Sequence, residues 1–200
     1  MNHRFARLLA VAALSLTTSA FAAVGPGAAA PDFSAKASQA GKTISFSLAE
    51  ALKSGPVVVY FYPSAYTGGC DIEAHTFATE AAKFAAAGAT IVGVSADSIQ
   101  RLNSFSADPN YCAGKFPVAS DPDGKIAASY DLELSAAVAN AKDVRGDVID
   151  HGFIPRTTFV IGRDGKVAAV FSSELDHLHP QDHVSKSLTI VQQMKNAKAP

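Results

Sequence analysis

The chain has 200 residues, of which 17 are basic and 18 acidic, so that its formal net charge is -1. This balance argues against nucleic acid or an anionic membrane surface as a partner. The length is that of one ordinary domain with a sizeable core, and the sequence contains two cysteines, Cys70 and Cys112.

The first 22 residues have the pattern of a secretory signal peptide. Arg4 and Arg7 give a basic start, residues 8–16 form an uncharged apolar run, and residues 20–22 (Ala-Phe-Ala) are a small-x-small cleavage pattern. The run is too short for the roughly 20 residues that span a bilayer. We therefore expect export from a bacterial cell, to the periplasm or beyond, and cleavage that leaves 15 basic against 18 acidic residues.

The mature chain is predicted to begin with a flexible lead-in over 23–30, followed by one domain over 31–200. The first half of the domain alternates between strands and helices. Strands are predicted at 43–47, 57–62 and 90–95, and helices after Ser47, over 70–87 and, with Asp97 as its cap, to about 108. The β-branched and aromatic run at 57–62 indicates a central strand covered on both faces. In the second helix, the apolar spacing places Glu73 on the polar side.

The second half ends in a hairpin and a helix. A strand is predicted at 116–120, a helical turn at 126–130, hairpin strands at 156–161 and 166–171, and a last helix at 181–196. Residues 131–152 are hard to interpret, and their alanines suggest a helix around 135–142. This order predicts an α/β fold, with a mixed sheet flanked by helices on both faces.

Cys70 opens the second predicted helix after a glycine-rich turn. A cysteine reacts as its thiolate, and the N-terminus of a helix lowers a thiol pKa. The neighbouring acids Asp71 and Glu73 oppose this effect, so a cation is needed nearby. Arg156 is the best candidate because it starts an apolar strand after a proline, although an exposed charge at a strand end is an equally good interpretation of its position.

Four segments in order resemble the peroxiredoxins. Residues 63–70, which read Pro-x-x-x-Thr-x-x-Cys after an aromatic strand, are similar to the active-site motif, and 155–161 are similar to the segment that carries the active-site arginine. Residues 30–33 resemble the usual start of the domain, and 120–125 recur in the bacterioferritin-comigratory, or Q-type, branch. Two departures are Asp71 for the usual threonine and Gly68-Gly69 for a common Pro-Gly, which suggests a looser turn.

The resemblance implies a thioredoxin-like fold and a thiol-dependent peroxidase for hydrogen peroxide and organic hydroperoxides, without cofactor or metal. It implies that Cys70 is the peroxidatic cysteine and passes through a sulfenic acid. It also implies that Thr67 orients the peroxide, that Pro63 shields the sulfenate and that Arg156 polarises the pocket. Glu73 would support the local hydrogen-bond network.

The sulfenic acid must then be reduced. Some Q-type members have a resolving cysteine five residues after the first, but this chain has His75 there. Cys112 resembles the resolving cysteine of other branch members, which implies a disulfide with Cys70 that a thioredoxin-like donor recycles. Because a disulfide requires Cα atoms about 4.4–6.8 Å apart, we expect partial local unfolding on oxidation. Resolution by an external thiol stays open, and the relatives imply a monomer.

The sequence also allows three other interpretations. A structural disulfide between the two cysteines, without peroxidase activity, is the simplest alternative for an exported chain. A disulfide reductase needs a Cys-x-x-Cys pair, and Thr67 removes it. A metal site at His177-x-His179-x-x-x-His183 fits no standard zinc spacing, so these histidines are predicted to form a solvated turn.

Overall fold

A computed structural model describes residues 24–197. The predicted signal peptide lies outside the described residues. The elements, in chain order, are β1 (Ser34–Gln39), β2 (Lys42–Ser47), α1 (Leu48–Ser54), β3 (Val57–Phe61), α2 (Gly68–Ala86), β4 (Thr90–Ser95), α3 (Ile99–Ala107), β5 (Val118–Ser120), α4 (Lys125–Ser129), β6 (Thr157–Ile161), β7 (Val167–Ser172) and α5 (Pro180–Asn196). Among these residues, no helix has the length and apolarity needed to cross a bilayer.

The strands form one seven-stranded sheet in the order β2-β1-β5-β4-β3-β6-β7. The central strands β3, β4 and β5 run parallel to one another, whereas β6 is antiparallel to both β3 and β7. The predicted α/β fold with a mixed sheet is therefore confirmed, and so are the antiparallel hairpin and the C-terminal helix.

Strand β3 is an interior strand of the sheet, between β4 and β6, and every one of its side chains is buried. Successive side chains of a strand point to opposite faces of the sheet. Val58 and Tyr60 accordingly enter a core covered by α2, α3 and α5, while Val59 and Phe61 enter a second core that includes Leu48 of α1. Helices thus cover both faces of the sheet.

The sheet topology brings two segments that are distant in sequence to the same end of the sheet. Strand β3 ends at Phe61, and α2 starts a few residues later at Gly68. In the antiparallel ladder between β3 and β6, Phe61 lies opposite Thr157, the first residue of β6. Arg156 therefore lies at the end of the sheet where β3 stops and α2 begins.

Several local predictions are corrected by the structure. Strand β1 was not predicted, because its sequence Ser-Ala-Lys-Ala-Ser-Gln lacks β-branched and aromatic residues. Ser98, and not Asp97, caps α3 by accepting a hydrogen bond from the amide of Arg101. No helix forms at 135–142, and the described chain from 131 to 156 consists of turns and extended segments.

The described part of the lead-in is bonded to the hairpin that follows much later. The amide of Gly27 donates to the carbonyl of Val167 (2.8 Å), and the amide of Ala30 donates to the carbonyl of Gly165 (2.9 Å). The composition of the segment suggested flexibility, but small residues also allow close backbone pairing. Gly27 and Ala30 of the predicted lead-in therefore pair with the hairpin.

Candidate active site

Cys70 is the third residue of α2, and its side chain is buried. Thr67 is the N-cap in an extended conformation, and its carbonyl accepts the amide of Asp71 at 2.9 Å. The hydroxyl of Thr67 donates to the carbonyl of Ser64 at 2.8 Å, which closes the turn before the helix. Pro63 is half-buried at the start of that turn. The structure thus brings Pro63, Thr67 and Cys70 together within one turn and the first turn of a helix.

Arg156 supplies the cation that the sequence requires. Its Nη2 donates to the Cys70 Sγ at 3.2 Å, and its Nη1 donates to Glu73 Oε2. The Arg156 side chain is only 11% exposed, so the interpretation of an exposed strand-end charge is wrong. Glu73 is fully buried, which corrects its prediction on the polar side of α2. The guanidinium therefore bridges a thiol and a carboxylate inside the protein.

The pKa of the Cys70 thiol is raised, chiefly because burial disfavours the charged thiolate. The guanidinium of Arg156, the hydroxyl of Thr67 and the backbone of Ser64 all oppose that effect. The helix start alone was expected to lower this pKa, but desolvation is the larger influence. The thiolate thus depends on donors supplied by the surrounding turn and by β6.

Asp71 follows Cys70 but belongs to a different environment. Burial raises the pKa of Asp71 to about 6, and the charged side chains that act on it are Asp143, Arg145 and Asp108. One of its carboxylate oxygens is buried without a hydrogen-bond partner. Asp71 therefore faces the chain segments that carry Asp108 and Asp143, rather than the guanidinium of the site.

A buried histidine lies behind the Arg156–Glu73 pair. The ring nitrogens of His183 bond to the hydroxyls of Thr158 and Ser173, both at 2.9 Å, and Nδ1 lies 4.0 Å from Glu73 Oε1. Burial, assisted by Arg156, lowers the pKa of His183 to about 4, so the ring is neutral at physiological pH. This histidine extends the buried polar network from Cys70 to α5.

The prediction of a solvated turn for the three histidines is wrong for His183. His177 and His179 are exposed, and His179 caps α5. Within the described residues, no cluster of His, Cys, Asp and Glu side chains is suited to hold a metal ion. The spacing of His183, Ser187 and Val191, at i, i+4 and i+8, places all three on the buried face of α5. This spacing is the sequence signal that predicts the burial of His183.

A second buried acid supports the turn before Thr67. Asp97 accepts hydrogen bonds from the amide of Ala65 (2.7 Å) and the hydroxyl of Ser64 (2.9 Å), and it lies 2.9 Å from both Arg101 Nε and His151 Nε2. Its pKa is lowered despite burial, with the hydrogen bond from His151 first among the favourable contacts. Asp97, predicted as a helix cap, instead anchors residues 63–67, here termed the active-site turn.

Cys112 lies in the loop after α3 and is fully buried in the same core as Cys70. Both cysteines are free thiols. Burial raises the pKa of Cys112 well above its usual value, and the charges of Asp108 and Asp71 add to this effect. His75, at the position of the alternative resolving cysteine, donates from Nδ1 to the carbonyl of Asn110 (3.0 Å) in the Cys112 loop.

Comparisons with known proteins agree with this arrangement. The model of the AhpC/TSA family matches residues 26–170. The chloroplastic peroxiredoxin Q of Sedum lineare is 32% identical over 178 residues, which cover 88% of this chain and 83% of that protein. The crystal structure of peroxidoxin BcpB from Mycobacterium tuberculosis has a TM-score of 0.70 at 29% identity, and the match covers 86% of this chain and 98% of that one.

A structure of the Xanthomonas campestris bacterioferritin comigratory protein also matches, with a TM-score of 0.63 and 25% identity over 82% of this chain and 92% of that chain. The family model spans well over half of the sequence, and the Sedum and Xanthomonas proteins carry the names of the Q-type, or bacterioferritin-comigratory, branch. The chain therefore belongs to the AhpC/TSA family, as a Q-type peroxiredoxin and hence a thiol-dependent peroxidase.

Proposed function

We propose that Cys70 is the sulfur that reduces the peroxide and that Arg156 and Thr67 are the donors that assist it. The observation that carries this assignment is the 3.2 Å contact between Arg156 Nη2 and the Cys70 Sγ. The Cys70 thiolate attacks the distal peroxide oxygen, so that an S–O bond forms and the O–O bond breaks. The leaving oxygen takes a proton and departs as water or an alcohol, and Cys70 becomes a sulfenic acid.

The donors act where negative charge develops. As the O–O bond breaks, charge moves from the sulfur to the leaving oxygen, and a fixed guanidinium stabilises both positions. The Thr67 hydroxyl, now donating to Ser64, lies on the same turn and can rotate to bond a peroxide oxygen. Pro63, at the start of the turn, shields the sulfenate from solvent.

Glu73 acts through Arg156. Its fully buried carboxylate accepts a hydrogen bond from Nη1 of the guanidinium, which leaves Nη2 to donate to the sulfur of Cys70. A guanidinium bound at two points has a fixed orientation. Hydrogen bonds from a fixed guanidinium stabilise a nearby negative charge more than an unoriented cation does. Glu73 is therefore a positioning residue in this proposal.

Cys112 resolves the sulfenic acid in this proposal. Its sulfur attacks the sulfur of Cys70, an S–S bond forms, the S–O bond breaks, and the hydroxyl leaves as water with the proton of Cys112. Location in the same core as Cys70 supports this role, and so does His75 in place of the other resolving cysteine. Because both thiols are buried, the segments that carry them must open for the disulfide to form.

The remaining steps follow from the same chemistry. A dithiol protein of the thioredoxin type reduces the Cys70–Cys112 disulfide to two thiols, and its own dithiol becomes a disulfide. The basic and apolar N-terminal pattern supports export, so the donor would work outside the bacterial cytoplasm. We propose a monomer as the working unit, for which sedimentation at increasing protein concentration should give one constant mass.

Intact-mass measurement after one equivalent of hydrogen peroxide tests this scheme. Reduced wild-type protein should lose two hydrogens as the disulfide forms, Cys112→Ser should gain one oxygen or more, and Cys70→Ser should stay unchanged. Turnover with a thioredoxin donor should be lost in Cys112→Ser. Equal turnover of Cys112→Ser and wild type would show that an external thiol resolves the sulfenic acid.

A further inference from the structure

Tyr66 has an unusual backbone conformation beside the proposed peroxide site. Its φ of +59° lies in the left-handed region, which residues other than glycine rarely adopt. Tyr66 directly precedes Thr67, so this conformation sets the direction in which the N-cap of α2 begins. The amide of Val144 donates to the carbonyl of Tyr66 at 2.9 Å, which links the turn to the irregular region 131–156.

The ring of Tyr66 is buried between two chain segments. The guanidinium carbon of Arg145 lies 3.4 Å from the ring centroid, and the rings of Phe105 and Tyr111 pack against it edge-on, with centroids at 5.1 and 5.3 Å. Tyr111 immediately precedes Cys112. Tyr66 is therefore the contact between the turn that carries the reactive cysteine and the loop that carries the second one.

Arg145 is held in place by a buried acid. The carboxylate of Asp143 is fully buried and accepts from Arg145 Nη2 (2.8 Å) and Nε (3.1 Å) and from Arg101 Nη2 (2.8 Å). The same Arg101 nitrogen donates to the carbonyl of Ala65 at 2.8 Å. Asp143 thus holds two cations that contact successive residues of the active-site turn, Ala65 through its carbonyl and Tyr66 through its ring.

We propose that residues 143–145, here termed the clasp, position the active-site turn and control when Cys70 is released towards Cys112. Arg145 is the positioning residue of the clasp, because its guanidinium covers the face of Tyr66. The clasp keeps Cys70 beside Arg156, where the sulfur reacts with peroxide. Release of Tyr66 frees this turn and the Cys112 loop together, since both pack against the same ring.

The inference rests on the proposed role of Cys112 for its catalytic consequence. A sulfenic acid at Cys70 has two fates: the Cys112 sulfur displaces its hydroxyl as water, or a second peroxide transfers an oxygen to it, giving a sulfinic acid and water. The first fate requires the turn to open, and the second occurs in the closed turn. The clasp therefore sets the ratio of disulfide to sulfinic acid.

The test compares Arg145→Ala with Lys142→Ala. Lys142 is an exposed cation three residues earlier that has no ion pair in the described structure, so its removal changes the charge of the segment equally. Amide hydrogen exchange over residues 64–72 should be about tenfold faster in Arg145→Ala than in wild type or the control, while exchange in β3 and β6 is unchanged. A general loss of structure would instead accelerate exchange throughout the sheet.

Rapid-quench mass analysis supplies the catalytic readout. In Arg145→Ala the disulfide should form about tenfold faster than in wild type or Lys142→Ala, and the sulfinic fraction at excess peroxide should fall accordingly. Unchanged exchange over residues 64–72 in Arg145→Ala would overturn the clasp. Faster local exchange without any Cys70–Cys112 disulfide in wild type would support the clasp and refute the resolving role of Cys112.

Discussion

At the scale of single residues, burial and hydrogen bonding act on the reactive sulfur in opposite directions. Burial raises the pKa of Cys70, and the donors of Arg156 and Thr67 lower it. A buried thiol without those donors would be an inert core residue. This is the environment of Cys112, whose pKa is raised by burial and by neighbouring acids, with no cation among the causes.

Removal of the guanidinium should therefore abolish most of the reactivity. In Arg156→Met, we expect the second-order rate constant for hydrogen peroxide to fall by roughly 100-fold, because a fixed donor at the developing charge is lost. Stopped-flow consumption of peroxide by reduced protein measures it. Arg163→Met, the same change at an exposed arginine of the β6–β7 turn, should react like wild type. An equal rate in both variants would remove Arg156 from the mechanism.

Some site residues could be predicted from sequence and others could not. Cys70 carries a local signal, a helix start after a glycine-rich turn, whereas the role of Thr67 and the choice of Arg156 over an exposed charge came from the resemblance to the peroxiredoxins. His183 and Asp97 are polar residues whose partners lie far away in sequence, such as Thr158 and Ser64, so their burial depends on the tertiary fold. Local pattern cannot report such contacts.

At the scale of elements, the start of α2 is shaped by the approach of Arg156. A Cβ on Gly69 would lie 3.0 Å from Arg156 Nη2 and 3.6 Å from Pro180 Cγ, whereas a Cβ on Gly68 would meet nothing within 4 Å. The two glycines suggested a looser turn from sequence. The structure instead shows that Gly69 leaves space for the guanidinium.

The two glycines make a matched pair for mutation. Gly69→Ala should displace the guanidinium from the sulfur and slow the reaction with peroxide by about tenfold or more, since small misplacements of a catalytic group are costly. Gly68→Ala should keep the wild-type rate and raise the free energy of unfolding by about 0.4–1 kcal/mol, because alanine lowers the conformational entropy of the unfolded chain. Stopped-flow kinetics with peroxide measures the rate of both variants, and urea unfolding measures their free energies of unfolding. A normal rate in Gly69→Ala would mean that the guanidinium tolerates displacement.

Elements with a clear periodic pattern were predicted well, and those defined by partners were not. Strands β3 and β4 consist of buried β-branched and aromatic residues, and the Asp-Gly pair at 164–165 marks the β6–β7 hairpin. Strand β1 is small and polar, and it exists because β2 and β5 pair with it on either side. Residues 143–145 are fixed by contacts to Tyr66 and Arg101, which no local pattern encodes.

At the scale of the whole molecule, the fold assembles a site from residues 86 positions apart. Parallel pairing of β3 with β4 and antiparallel pairing of β3 with β6 bring the start of α2 and the start of β6 to the same end of the sheet. A cavity of about 630 Å³ lies at the opposite end of the sheet, lined by Gly55, Pro56 and the β6–β7 turn. That cavity shares no residue with the proposed site.

The buried charges should make global stability depend on pH. Burial raises the pKa of Glu73 from 4.5 to about 7, against the influence of Arg156. The folded protein keeps a proton that the unfolded chain releases in this range, so this carboxyl lowers stability as pH rises from 4.5 to about 7. Glu73→Gln removes this titration. The free energy of unfolding of Glu73→Gln minus that of wild type should therefore grow as pH rises through that window.

Urea unfolding of both proteins at several pH values measures this difference. Asp71, with its pKa raised to about 6, and His183, with its pKa lowered to about 4, titrate in both proteins, so the comparison isolates Glu73. A stability difference that does not change with pH would show that Glu73 is ionised throughout, held so by Arg156.

The central claim is that Cys70, held against Arg156, is the atom that attacks peroxide. Stopped-flow mixing of reduced protein with one equivalent of hydrogen peroxide tests it most directly. Wild type and Cys112→Ser should consume the peroxide at the same rapid rate, and Cys70→Ser should consume none. Rapid consumption by Cys70→Ser, or its loss in Cys112→Ser with the fold intact, would contradict the claim.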